Sequence, residues 1–393
     1  IINSNLIEIP LSNREFTWNN TRESPSMALL DRFFVSEEIE DKFPICRVTG
    51  LPYTYSNHCP IILTCEYHRV IINNFKFEKM WLLESNFVNL VKGKWVSLSF
   101  HNIRNKENSA KAFVSKLREL RIFLKNWNKN VFGNLKIKKD NILNEMLKIN
   151  KIEESRSLNI GERNVLANLK DELNSILEKE EVMWKQRSRI QWINEGDNNT
   201  KFFHNIANGR KCSNTINSIF VNNIELVDQR DLNKAFTDYY KDIFGSKIKH
   251  RINVRWIDLY PSDSIIDLSE LDNPFTEEEI RKAINDMPSD KSPGPDGFPI
   301  LFYITFWDVL KFDLVNMFND FYNGNLQLGR FNFANVILLH KKVGAKNLKD
   351  FRPISLINCS VKIISKVLAN RLSTRMNDLI DCSQSAFIKG RNI

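Results

Sequence analysis

A chain of 393 residues, 42% of them hydrophobic, is too long for one ordinary core and predicts about two or three domains. A formal net charge of +9 favours a polyanionic partner, because clustered Lys and Arg gain affinity by releasing counterions, but it does not separate nucleic acid from a membrane surface. No apolar run approaches the ~18 residues of a bilayer span, no signal-peptide pattern is visible, and six cysteines make no regular framework, which excludes a spanning helix and a secreted disulfide fold in favour of an intracellular compartment, cytoplasmic or nuclear.

The chain opens on Ile1 rather than Met, so its start reads as a truncation. Residues 1 to about 67 read as short strands and turns. Phe33-Phe-Val35 and Ile61-Ile-Leu63 are strand-like, with Asn13, Asn19, Asn20, Pro25, Gly50 and Pro52 between them. His58, Cys59, Cys65 and His68 lie close together, but their spacing is not a usual zinc pattern, and Cys59-Pro-Ile-Ile-Leu-Thr-Cys65 reads instead as a buried strand.

From about 104 to 190 the texture becomes helical. Phe113, Leu117, Leu120, Leu124, Trp127 and Val131 recur at steps of three and four on one face, with Gly133 as a stop. A second tract carries Ile142, Met146 and Ile149, and a third carries Leu166, Leu169, Leu173, Ile176 and Met183, hinged over 159–164. Lys136, Lys138 and Lys139 read as a solvated helix face or as phosphate contacts. A Gly-Asp-Asn turn at 196–198 leads to Phe202, Phe203 and His204, with Asp197 or Asn198 as a possible helix cap. A junction follows near 245–274, marked by Gly245, Pro261 and Pro274. Thr276 and Glu279 predict a capping box, residues 299–323 a long helix presenting Trp307, Leu310, Leu314, Met317 and Phe321, residues 335–342 a strand with a basic end, and Ile364, Leu368, Leu372 and Leu379 a further helical face.

Two constellations carry chemistry. Lys291-Ser-Pro-Gly-Pro-Asp-Gly297 packs two prolines and two glycines into a sharp, stiff loop, suited either to close approach by a nucleic-acid strand, with Lys291 on a phosphate, or to a tight helix-to-helix connection. Lys341, Lys342 and Arg352 bracket a loop containing Gly344 and are expected to converge on one edge, as cations gripping a triphosphate or template backbone would; solvation alone is the plainer alternative.

These segments, with Asp350-Phe-Arg-Pro-Ile-Ser-Leu356, Lys366-Val-Leu-Ala-Asn-Arg-Leu372 and Gln384-Ser-Ala-Phe387 ahead of Gly390-Arg391, resemble in order and spacing the fingers and early palm of LINE-type non-LTR retrotransposon reverse transcriptases. The resemblance implies that Lys341 and Arg352 line the fingers near the incoming nucleotide and that Gln384 to Arg391 approaches an RNA template and DNA primer. His340 departs from the family's usual Pro, and Val361 from its usual aromatic. The family's catalysis uses paired carboxylates, including an Asp-Asp dipeptide, to hold magnesium; no Asp-Asp occurs in these 393 residues.

Phe16-Thr-Trp18, Leu30-Asp-Arg-Phe-Phe34 and Ser56-Asn-His-Cys-Pro-Ile61 resemble the late motifs of the apurinic-endonuclease-like domain found upstream in that family. The resemblance implies that Asp31 accepts a hydrogen bond from His58; Asn57 replaces the family's Asp beside that His. The expected architecture is therefore α+β: an endonuclease β-sandwich tail over 1–67, a helical connector over 68–190, a pre-polymerase region over 191–274, and the N-terminal part of a right-hand reverse transcriptase over 275–393. The expected function is a catalytically inactive fragment of an RNA-directed DNA polymerase, lacking a complete Mg²⁺ set and having no membrane partner. Two alternatives stand beside it: a nucleic-acid-binding module, and a scaffold docking proteins on the stripes at 113–131 and 166–183.

Overall fold

The computed structural model describes residues 6–20, 26–36, 39, 43, 46–51, 56–65, 75–102, 108–190, 202–203, 206–207, 209–210, 214–245, 267–342, 344–380, 384, 388 and 390–391. They form a mixture of helices and two-stranded antiparallel ribbons, an α+β architecture. The Gly-Asp-Asn turn, His204 and Pro261 lie outside the described residues.

Strands β1 (Leu6–Ile9), β2 (Trp18–Asn19), β3 (Met27–Ala28), β4 (Phe33–Ser36), β5 (Cys46–Gly50) and β6 (Ile61–Cys65) make three ribbons, β1 with β4, β2 with β3 and β5 with β6. Their core is small: Ile7, Ile9, Val35 and Val48 are buried, with Ile61 and Leu63 packed against them. The buried strand expected over 59–65 is corrected. Cys59 is buried but precedes β6, and β6 alternates half-buried with exposed residues because only one of its faces meets that core.

The helical stretch contains α1 (Phe87–Asn102), α2 (Ser109–Trp127), α3 (Leu135–Ser155) and α4 (Ile160–Ser188). Asn108 caps α2 by accepting from the Ala110 N–H, and Phe113, Leu117, Leu120 and Leu124 are buried as the periodicity predicts. The stripe does not extend to Val131, which is 67% exposed. Residues 128–132 form a π-turn, whose extra residue rotates the face by one position and buries Phe132 instead, before Gly133 ends the run at φ 75°. Burial of this stripe inside the chain removes it as a docking face. Asn159 and Glu162 form a full capping box at the start of α4.

Beyond β7 (Ile219–Val221), β8 (Ile224–Leu226) and α5 (Gln229–Phe244) come α6 (Glu277–Asn285), α7 (Ile300–Thr305), α8 (Trp307–Tyr322), β9 (Ala334–His340), β10 (Phe351–Ile357), α9 (Cys359–Ser373) and α10 (Met376–Leu379). The capping box of Thr276 and Glu279 is present. The single helix expected over 299–323 is broken at Phe306. Thr305 Oγ1 bonds back to the Leu301 carbonyl at 2.8 Å, a contact that bends helices, and the Phe306 ring sits in an aromatic cluster with Phe302, Phe77 and Phe87. On α9 the expected face is also displaced: Leu368 and Leu372 are exposed, while Cys359, Ile363, Ile364 and Val367 are buried.

One hydrophobic core runs from Phe75 through α1 to α4 and on through α6 to α9. Its polar centre is Lys116, whose buried ammonium meets Asp313 Oδ1 at 2.6 Å and Ser99 Oγ at 2.9 Å, while Trp95 Nε1 donates to the other Asp313 oxygen at 2.9 Å. Among the described residues no helix is long and apolar enough to cross a membrane.

Candidate nucleic-acid interface

The 291–297 loop is shaped from within. A Cβ on Gly294 would collide with the backbone and side chain of Asn358, and one on Gly297, at φ 83°, would collide with the Phe75 carbonyl. Both glycines therefore answer a need for close approach by the protein's own backbone. Arg121 donates to the Pro295 carbonyl at 3.4 Å, Lys362 Nζ to the Ser292 carbonyl at 3.0 Å, and Asn358 Oδ1 accepts the Asp296 N–H at 3.1 Å. Lys291 is exposed at the loop's start.

Asp296 was legible in sequence only as a turn residue. Its Oδ1 accepts the Phe298 N–H at 3.0 Å, whereas Oδ2 is sealed from solvent without a partner, although one edge of the residue stays exposed. Burial pushes this carboxyl up to about 6, against smaller opposing effects of the Phe298 N–H and the Lys362 charge. Tyr303 is buried nearby, and burial, reinforced by the Asp296 charge, raises its phenol against the smaller opposing effect of Ser360.

The second element is the β9/β10 ribbon, paired from Phe351 opposite His340 to Ile357 opposite Ala334. The strand stops at His340, so Lys341 and Lys342 belong to the turn rather than to the strand end expected in sequence. Asp350 organises that turn: its Oδ2 accepts the Lys346 and Asn347 N–H groups at 3.3 and 3.1 Å, and its Oδ1 meets Lys342 Nζ at 3.0 Å. Lys342 and these N–H groups hold the Asp350 carboxyl down at about 2. Lys341 Nζ donates to the Lys349 carbonyl at 2.6 Å. Arg352 lies on β10 opposite Leu339, exposed. The three cations are thus not gathered as one unit: two are tied to the turn and the third lies on the ribbon. Lys346 and Lys349, which the motifs did not single out, are also exposed, so four exposed cations lie along a turn that holds one buried acid, with Arg352 beside it on the strand. Phe351, packed on Phe236 of α5 at 5.2 Å, anchors the ribbon.

Toward the end of the described residues Arg391 donates to the Gln384 and Ile380 carbonyls, each at 2.8 Å; Gln384 is exposed, and Ser385, Ala386 and Phe387 lie outside the described residues. Within 366–372, Arg371 is a clamp. It pairs with both oxygens of Glu279 at 2.8 Å, donates to the Leu271, Asn273 and Pro274 carbonyls, and stacks 4.1 Å over Phe275.

In the N-terminal ribbons, His58 Nδ1 lies 2.9 Å from Asp31 Oδ2, and this hydrogen bond is the chief reason the Asp31 carboxyl is lowered. The hub that brings them together is Thr17, fully buried, a residue quoted in sequence for its neighbours alone. Its Oγ1 accepts the Leu30 and Asp31 N–H groups at 3.0 and 2.9 Å, and its carbonyl accepts Cys59 N–H at 2.6 Å. Asn57 is exposed beside His58. Among the described residues no three His, Cys, Asp or Glu side chains are gathered to hold a metal ion.

The chain is similar to a transposon protein. It is 30% identical over 210 residues to the Transposon TX1 uncharacterized 149 kDa protein of Xenopus laevis. The match takes in 53% of this chain and 16% of that protein, so the chain spans a minor part of its relative's length. No family model matches the chain.

Proposed function

We propose that this chain is a retrotransposon-derived protein, part of a LINE-type reverse transcriptase with an endonuclease remnant, and that what it performs itself is binding of a nucleic-acid backbone without catalysis. The observation that carries the binding is the ribbon tip, where exposed Lys341, Lys342, Lys346 and Lys349 share a turn fixed by one buried acid, with Arg352 exposed on the adjoining strand. A turn fixed from within and presenting several exposed cations binds phosphates through counterion release and reads no bases. Similarity to a transposon protein favours RNA and DNA over a membrane surface as the polyanion. Lys291 adds an exposed cation beside the stiff loop, whereas Arg391 is engaged on the Gln384 and Ile380 carbonyls. Asp31 and His58 retain the orienting hydrogen bond of an endonuclease, but Asn57 brings neither negative charge nor a proton acceptor to it.

The test is binding of an RNA–DNA hybrid by fluorescence anisotropy across a salt series. Replacing Lys341, Lys342 and Arg352 together by Ala is expected to flatten the log K against log salt slope by roughly two to three. An unchanged slope removes the reading. The same preparation, given Mg²⁺, a primed template and dNTPs, is expected to incorporate nothing; template-dependent incorporation would overturn the absence of catalysis.

A further inference from the structure

Cys46 and Cys65 lie far apart in sequence, and no spacing pairs them. The fold sets them directly opposite each other at the open end of the β5/β6 ribbon, with Sγ atoms 2.9 Å apart. Both are half-buried and neither is in a disulfide.

The ribbon's hydrogen bonding determines what kind of pair they are. The Leu51 N–H donates to the Pro60 carbonyl at 2.8 Å, which makes 51 and 60 a hydrogen-bonded position. Counting back in alternation, 50 with 61, 48 with 63 and 46 with 65 are the non-hydrogen-bonded positions. The Val48 carbonyl agrees: it turns away from β6 and accepts from the Ser12 N–H and hydroxyl. At non-hydrogen-bonded positions the strands approach to a Cα separation of about 4.5 Å, within the span of a disulfide. Closing the sulfur–sulfur bond to about 2 Å needs an approach of less than ~1 Å.

We propose that Cys46 and Cys65 are a reversible disulfide site that locks the hairpin carrying His58. The oxidant is a small-molecule disulfide such as oxidised glutathione. One cysteine thiolate attacks a glutathione sulfur and expels the first glutathione thiolate; the second cysteine thiolate attacks the protein sulfur of that mixed disulfide and expels the other. The protein loses two electrons and two thiol protons, and oxidised glutathione becomes two glutathione thiols. The bond closes a segment that contains β5, the turn with Ser56, Asn57 and His58, and β6. An isolated two-stranded ribbon over so small a core is only marginally stable, so a cross-link at its open end restrains most of what would otherwise fray. The other cysteines described here lack this arrangement: Cys59 is buried with its Sγ on the Leu51 carbonyl at 2.9 Å, and Cys359 is buried with its thiol pushed up to about 12, chiefly by burial.

The experiment uses the full chain, reduced and then equilibrated in glutathione buffers of rising oxidised fraction, quenched by alkylation and digested for mass spectrometry. A peptide pair linked through Cys46 and Cys65 is expected, converted back by excess reduced glutathione. In Cys65→Ser, Cys46 is expected as a glutathione adduct. Hydrogen exchange over 47–50 and 61–64 is expected to slow about tenfold or more on oxidation of the wild type. Absence of the linked pair in fully oxidised buffer overturns the site, and a linked pair with unchanged exchange overturns the lock.

Discussion

Replacing Asp296 by Asn is expected to stabilise the folded chain at neutral pH, and the size of the gain follows from the loop geometry. The carboxylate uses one oxygen on the Phe298 N–H and leaves the other buried without a partner, so its ionised form is poorly solvated when folded. Its carboxyl moves from an ordinary 3.8 to about 6. A carboxyl raised by folding keeps its proton longer in the folded than in the unfolded chain. Between pH 3.8 and about 6 the folded state binds more protons, stability falls as pH rises through that window, and the full loss is present above it. The shift corresponds to roughly 3 kcal/mol at most. The exposed edge of the residue reduces this to about 1–3 kcal/mol. Asn keeps an oxygen for Phe298 N–H and removes the charge. Urea unfolding of wild type and Asp296→Asn should show the variant ahead by that margin at about pH 7.5, by about half as much near pH 5, and by little near pH 4. A variant less stable than wild type at neutral pH, or an advantage that does not shrink with acid, would refute the account of an uncompensated buried carboxylate.

Arg371→Lys loses the fork on Glu279 and the stack on Phe275, and is expected to cost about 2–3 kcal/mol in a urea or thermal melt; a neutral result would show that the clamp carries no net energy. Lys116→Met leaves Asp313 buried with only the Trp95 N–H and is expected to cost about 3–5 kcal/mol, most of it recovered when Asp313→Leu is added; equal stability of single and double variants would contradict a stranded charge. Supercoiled plasmid with Mg²⁺ is expected to stay intact in the presence of either the wild-type chain or Asn57→Asp, because one restored carboxylate does not assemble a metal site; nicking by either would reinstate the endonuclease.

What the sequence made legible was local. The α2 stripe from Phe113 to Leu124, the Thr276–Glu279 capping box and the Gly133 stop depend on residues within a turn or two of each other, and they stand in the structure where periodicity and capping rules put them. What escaped depends on partners far along the chain. Phe306 breaks a helix because its ring is needed among Phe77, Phe87 and Phe302, and α9 turns Ile363 and Val367 inward because apolar residues on both of its faces leave the choice to its neighbours. Cys46 meets Cys65 through a register that the intervening turn determines, and Lys346 and Lys349 join the basic tip because Asp350 curls the turn that holds them.

The same distinction bears on how the 291–297 loop is supported. Phe77 N–H donates to the Gly297 carbonyl at 3.0 Å, the Phe75 backbone crowds the Gly297 α-carbon, Arg121 holds Pro295, and Asn358 threads between Asp296 and the Phe331 carbonyl. The stiff loop is therefore built from the helical stretch on one side and the start of α9 on the other. Its two prolines set local dihedrals, but its position depends on groups some two hundred residues upstream. A connector that only joined two working parts would tolerate wholesale change. Here Arg121→Ala removes a donor from the loop itself, so the helical stretch belongs to the architecture that presents Lys291, and severing it would release the loop along with the core it closes.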